Sequence, residues 1–98
     1  MRNEELLIRL TQTQGIAGYE KKVRELIEQE VRPYADELIV DPLGSLIAVK
    51  KGKGGPRSKK IMFAAHMDEI GFMVKKIEED GRLLVCNVGW NWTASAYN

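Results

Sequence analysis

The chain is 98 residues long, 44% hydrophobic and 30% charged, with a formal net charge of +1, which bounds it to one ordinary globular domain at most. So near-neutral a balance offers no electrostatic case for nucleic acid or for an acidic membrane surface as partner. A single cysteine, Cys86, excludes an internal disulfide and fits a reducing compartment.

In chain order, Asn3 is placed to cap a first helix, with Glu4 and Glu5 favourable near the positive end of its dipole. Leu6, Leu7 and Leu10 fall on one face of that helix, and the "GIAG" at residues 15–18 breaks it. No signal peptide is expected, because acidic residues precede the first apolar cluster, and no apolar run reaches membrane-spanning length. The cytoplasm is the expected location. A second helix is predicted over residues 19–32. Val23, Leu26, Ile27 and Val31 give it an amphipathic stripe, and Pro33 is its expected stop.

The period then changes. "DELIVD" (residues 36–41) and "GSLIAVKK" (residues 44–51) read as short strands joined at the turn-like "DPLG". The basic run "KKGKGGPRSKK" (residues 50–60) is rich in Gly and reads first as a solvated loop, with an anion-binding patch as the lesser alternative. Residues 61–65, "IMFAA", are apolar on both faces, as expected of a central strand buried between helical layers. Beyond them, two runs flank "EEDGR", and Asp80-Gly81 is a strong hairpin signal. Cys86, in the apolar "LLVCNV", reads as an inert core thiol. The fold class is therefore α/β, with two N-terminal helices packed on a mixed sheet.

Chemistry is expected where the buried strand runs out, at His66 and Asp68. Imidazole ligates zinc or cobalt through one nitrogen when an acceptor holds the other and fixes the tautomer. The same His-x-Asp spacing also suits a hydrogen-bonded histidine at the rim of a core. Spacing alone leaves both readings open. Nor is a site complete in the chain, since a catalytic zinc wants about three protein ligands and His66 is the only histidine. Glu69 follows directly, whereas Glu78, Glu79 and Asp80 read as turn residues.

Three segments, "TQTQGIAGYEKKVRELI", "DPLGSLIAVKKG" and "IMFAAHMDEIGFMV", stand in the order and spacing of a known family. Over about residues 5–88 the chain resembles the N-terminal part of the tetrahedral, or glutamyl and deblocking, aminopeptidases. These are co-catalytic metallopeptidases often labelled endoglucanases. The resemblance implies that His66 binds one of two divalent metals, zinc or cobalt, and that Asp68 is a catalytic supporting residue. It places the other ligands and the general base later in a longer chain. It implies peptide substrates with an accessible N-terminus and a homo-oligomer, a hollow dodecamer in the family. By the same resemblance, residues 1–70 belong to the catalytic αβα sandwich and residues 71–88 open an inserted, β-rich dimerisation domain.

Residues 89–98, "GWNWTASAYN", depart from the family pattern and read as an off-family tail, such as a frameshift adds. Aminopeptidase coding in another frame of the encoding DNA would be its signature. The expected function is thus an N-terminal fragment of a metal-dependent aminopeptidase, inactive alone. A non-catalytic assembly module and one half of a split peptidase are the alternatives. A cysteine nucleophile fits poorly, since Cys86 has no histidine near it in sequence. A polysaccharide hydrolase fits poorly too, because it needs two carboxylates facing each other across a cleft.

Overall fold

The computed structural model describes residues 2–89. The expectations placed on residues 90–98 lie outside the described residues. Helix α1 spans Asn3–Gln12, with Arg2 rather than Asn3 at its N-cap position. The helix starts one residue earlier than predicted because the Glu5 carboxylate reaches back, Oε2 accepting from the Arg2 backbone N–H at 3.2 Å. Glu4 and Glu5 occupy the first turn as expected, where the dipole favours negative charge. At the other end, the Thr13 N–H and hydroxyl both donate to the Arg9 carbonyl, at 3.0 and 2.6 Å, and the helix stops.

The "GIAG" break is a tight turn. Tyr19 N–H donates to the Ile16 carbonyl at 2.8 Å, and Gly18 takes a φ of +86°, which glycine adopts without a Cβ penalty. Helix α2 follows over Lys21–Val31 and passes into a 3-10 turn over Arg32–Tyr34 that contains Pro33. The predicted stripe is the packed face. Val23 and Leu26, exposed by only 4% and 7%, are the buried apolar residues among those described, and Ile27 and Val31 are half-buried. An ion pair between Arg9 and Glu30, at 2.9 Å, links the two helices. At the surface such a pair contributes about 0–1 kcal/mol, so it orients more than it stabilises.

Strands β1 (Glu37–Val40) and β2 (Leu46–Val49) form an antiparallel hairpin, with Glu37 opposite Val49 and Val40 opposite Leu46. The "DPLG" joint is closed by Asp41, whose carbonyl accepts from Gly44 N–H at 2.9 Å and whose Oδ1 accepts from Ser45 N–H at 2.8 Å. Arg24 of α2 donates to the Gly44 carbonyl at 3.1 Å and ties the hairpin to the helix. Strands β3 (Gly71–Ile77) and β4 (Leu83–Val88) form the second hairpin around Asp80-Gly81. Its turn is held by Glu78 N–H donating to the Arg82 carbonyl at 2.8 Å. The register slips between Val74 and Lys76, so Lys75 is the extra residue of a β-bulge. The α/β class therefore holds, built from two helices and two small antiparallel sheets.

Two expectations are corrected. Residues 61–65 form no strand, and Ile61, Met62 and Phe63 are 79%, 87% and 94% exposed. A doubly buried strand needs a hydrogen-bonded neighbour on each edge and a layer on each face. Among the described residues no strand lies beside this segment, because the four strands pair only with their hairpin partners. Cys86 is likewise exposed rather than a core thiol, its Sγ donating weakly to the Met73 carbonyl at 3.7 Å. Most of β3 and β4 is exposed, so the apolar composition of this hairpin does not translate into burial. Residues 50–60 are exposed throughout, as expected of a solvated loop.

Gly15 marks the tightest point of the helical layer. A Cβ there would lie 2.8 Å from Val23 Cγ1 and 3.3 Å from the Met67 carbonyl oxygen. Gly15→Ala is expected to destabilise the chain by about 1–3 kcal/mol, the usual cost of overpacking. Adding Val23→Ala should recover part of that loss. Thermal unfolding followed by far-UV circular dichroism measures both, and an unchanged midpoint in Gly15→Ala would contradict this packing.

Candidate metal centre

The strand end predicted to carry chemistry is placed by the "GIAG" turn, although the strand itself does not form. Ile16 and Glu69 make a parallel β-bridge. Glu69 N–H donates to the Gly15 carbonyl at 2.8 Å, and Ala17 N–H donates to the Glu69 carbonyl at 3.2 Å. The Glu69 side chain adds a third bond, Oε1 accepting from Gly15 N–H at 3.2 Å. Both hydrogen-bonding groups of the Gly15 backbone are thus taken by one residue. Gly71 completes the contact, since a Cβ there would sit 2.7 Å from Ile16 Cδ1. A side chain at this close approach would force Ile16 to shift.

His66 and Asp68 stand just before this anchor. His66 Nδ1 lies 3.0 Å from the Asp68 carbonyl oxygen and 3.1 Å from Asp68 Oδ1. A carbonyl oxygen can only accept, so Nδ1 carries the hydrogen. In the neutral ring the lone pair then sits on Nε2, the form a metal requires. The imidazole is 86% exposed and Asp68 44%, so Nε2 is presented to solvent rather than into a core. This geometry takes His66 out of the core. It leaves a hydrogen-bonded, ligand-competent imidazole at the rim.

The two residues named from sequence are therefore together, and Glu69, which sequence reasoning passed over, is the one that anchors them. Its only sequence signal was position, an acid directly after the His-x-Asp.

The donors do not add up to a two-metal centre. Among the described residues no group of three or more His, Cys, Asp or Glu side chains converges to hold a metal ion. The oxygens of Asp68 face Nδ1, on the ring edge away from Nε2, and Glu69 is committed to Gly15. Among the described residues, those present fit one imidazole ligand with no group of three donors around it. A separate open cleft of about 720 Å³, lined by residues including Tyr19, Arg24, Leu43, Phe72 and Val88, contains neither His66 nor Asp68, so it belongs to no site described above.

The model of the M42 glutamyl aminopeptidase family matches residues 44–98, more than half of the chain. The chain belongs to that family.

A protein of Acetivibrio thermocellus that carries an aminopeptidase assignment is 52% identical over 85 residues, covering 87% of this chain and 24% of its own length. Lysyl aminopeptidase of Pyrococcus furiosus is 41% identical over 86 residues, covering 87% of this chain and 24% of its own. Among solved structures, a TET aminopeptidase from the marine sediment archaeon Thaumarchaeota archaeon SCGC AB-539-E09 superposes with a TM-score of 0.78 at 37% identity, over 93% of this chain and 24% of that one. A Thermotoga maritima protein titled an endoglucanase gives a TM-score of 0.74 at 43% identity, over 85% of this chain and 26% of that one. The chain spans about a quarter of the length of the curated relatives it matches.

Because the Asp68 backbone carbonyl shares the hydrogen on Nδ1 with its carboxylate, removing the carboxylate should not release it. In Asp68→Ala, ring 15N spectra are expected to keep the Nδ1–H tautomer at His66. A switch to Nε2–H would show that the carboxylate alone holds the ring.

Proposed function

We propose that this chain is the N-terminal part of a metal-dependent aminopeptidase that removes N-terminal residues from peptides, and that the 98-residue chain has no peptidase activity by itself. His66 is the metal ligand it contributes, through Nε2. Asp68 is the supporting residue, holding the ring through Nδ1. The observation that carries the proposal is this one-sided hold on the imidazole, in a chain whose family membership is established. Divalent metals, zinc or cobalt, bound in the complete enzyme would supply an activated water and stabilise the charge that develops on the peptide carbonyl. Residues 71–88 are, in this reading, the first hairpin of an inserted β-rich domain used in homo-oligomer assembly. The cytoplasm is the proposed location. Among the described residues no helix is long and apolar enough to cross a membrane.

Inactivity follows from ligand count. One imidazole holds a divalent ion weakly, and among the described residues no group of three donors is assembled to strengthen it. Purified chain supplied with Co²⁺ or Zn²⁺ is expected to leave leucyl- and glutamyl-anilides intact. Metal-dependent turnover that disappears in His66→Ala would refute the inactivity.

A second reading, an assembly module or one half of a split peptidase, is favoured by the nearly full exposure of Ile61, Met62 and Phe63. Contiguous exposed apolar side chains mark a surface that another polypeptide covers. Light scattering decides this point. A species heavier than the monomer, or a co-purifying chain rich in acidic residues and histidine, supports it, whereas a strictly monomeric folded chain counts against it.

A further inference from the structure

The peptide unit between Asp68 and Glu69 is bonded on both sides at once. Its C=O accepts the hydrogen on His66 Nδ1 at 3.0 Å, and its N–H donates to the Gly15 carbonyl at 2.8 Å. A hydrogen bond to one end of a peptide polarises the group and strengthens the bond at its other end. The line therefore runs from the Gly15 carbonyl, through one amide plane, to the imidazole. The Glu69 side chain reinforces that plane, because its Oε1 accepts from the N–H of Gly15 while its backbone donates to the carbonyl of the same residue. Ala17 N–H holds the far side of Glu69 through its carbonyl, at 3.2 Å.

The geometry points to Glu69 as a positioning residue that holds the backbone half of the His66 tautomer lock, with the turn between the two helices as its anchor. Glu69 donates nothing to the ring directly. It holds the amide whose carbonyl keeps the hydrogen on Nδ1 and thereby leaves the Nε2 lone pair free. Loosening Glu69 lets the Asp68 carbonyl swing, and where the Asp68 carboxylate is also absent the ring hydrogen redistributes between the two nitrogens. Only the bearing of this latch on metal binding rests on the reading of His66 as a ligand. The tautomer control stands without it.

The test uses ring 15N spectra of His66 in the metal-free chain at about pH 8.5, well above the ordinary imidazole pKa of about 6.5. In the unsubstituted chain the Nδ1–H form should dominate. In the Asp68→Ala background, where the backbone carbonyl is left as the acceptor on Nδ1, adding Glu69→Ala is expected to lose that preference and give averaged nitrogen resonances. Adding Glu69→Gln instead, whose amide oxygen can still accept from Gly15 N–H, is expected to keep it. Far-UV circular dichroism checks that the helices survive in each variant.

A second measurement needs no variant. Amide hydrogen exchange in the unsubstituted chain should show Glu69 and Ala17 protected relative to the exposed residues 50–60. An unchanged tautomer in a folded Asp68→Ala/Glu69→Ala double variant would overturn the proposal. So would a folded Asp68→Ala/Glu69→Gln variant that behaves like it, or unprotected Glu69 and Ala17 amides. A retained latch with no Zn²⁺ effect on Nε2 would instead count against the metal reading alone.

Discussion

The parallel bridge between Ile16 and Glu69 joins the helical layer to the segment that carries His66. On one side of it lies a turn that needs Gly18 at φ +86° and has no room for a Cβ on Gly15. On the other lies Gly71, pressed against Ile16. Two close approaches and three hydrogen bonds thus converge on a few residues. A net contribution of about 0.5–1.5 kcal/mol per hydrogen bond is enough to fix a short segment locally. The hold of so local a contact falls off along the chain, and residues 61–65 form no strand.

That gradient explains which elements could be read from the residues and which could not. Helix α2 was legible because its stripe of Val23, Leu26, Ile27 and Val31 packs within the chain, and both hairpins were legible because their turns carry Asp-Gly or Asp-Pro chemistry of their own. These are local causes. The apolar run at residues 61–65 carries a real preference for burial, but burial depends on neighbours. Among the described residues none lies beside it, so Ile61, Met62 and Phe63 stay exposed. Cys86 was misread for the same reason. Its apolar setting implied a core, yet its hairpin is largely exposed on both faces.

At the candidate site, the pair His66 and Asp68 was visible as a weak spacing and became specific only with the segments around it. Its geometry sharpens the roles. The Asp68 carbonyl and carboxylate share Nδ1, so the backbone is as much a part of the site as the side chain. Glu69 was hidden because its function is a long-range bond to Gly15, and nothing local to "HMDEIG" signals a partner so far away in sequence. Membership of the M42 glutamyl aminopeptidase family is the context for the role proposed for the pair, and among the described residues no three donors converge around it.

The central claim is that the chain offers a single metal ligand, His66, through Nε2. Zn²⁺ titration of the unsubstituted chain, followed by ring 15N spectra, tests it most directly. The account expects the Nε2 resonance to move with added metal while Nδ1 keeps its hydrogen, with no change in the aspartate and glutamate carboxylates. An unmoved Nε2, or metal arriving at Nδ1 in place of the hydrogen, would contradict it.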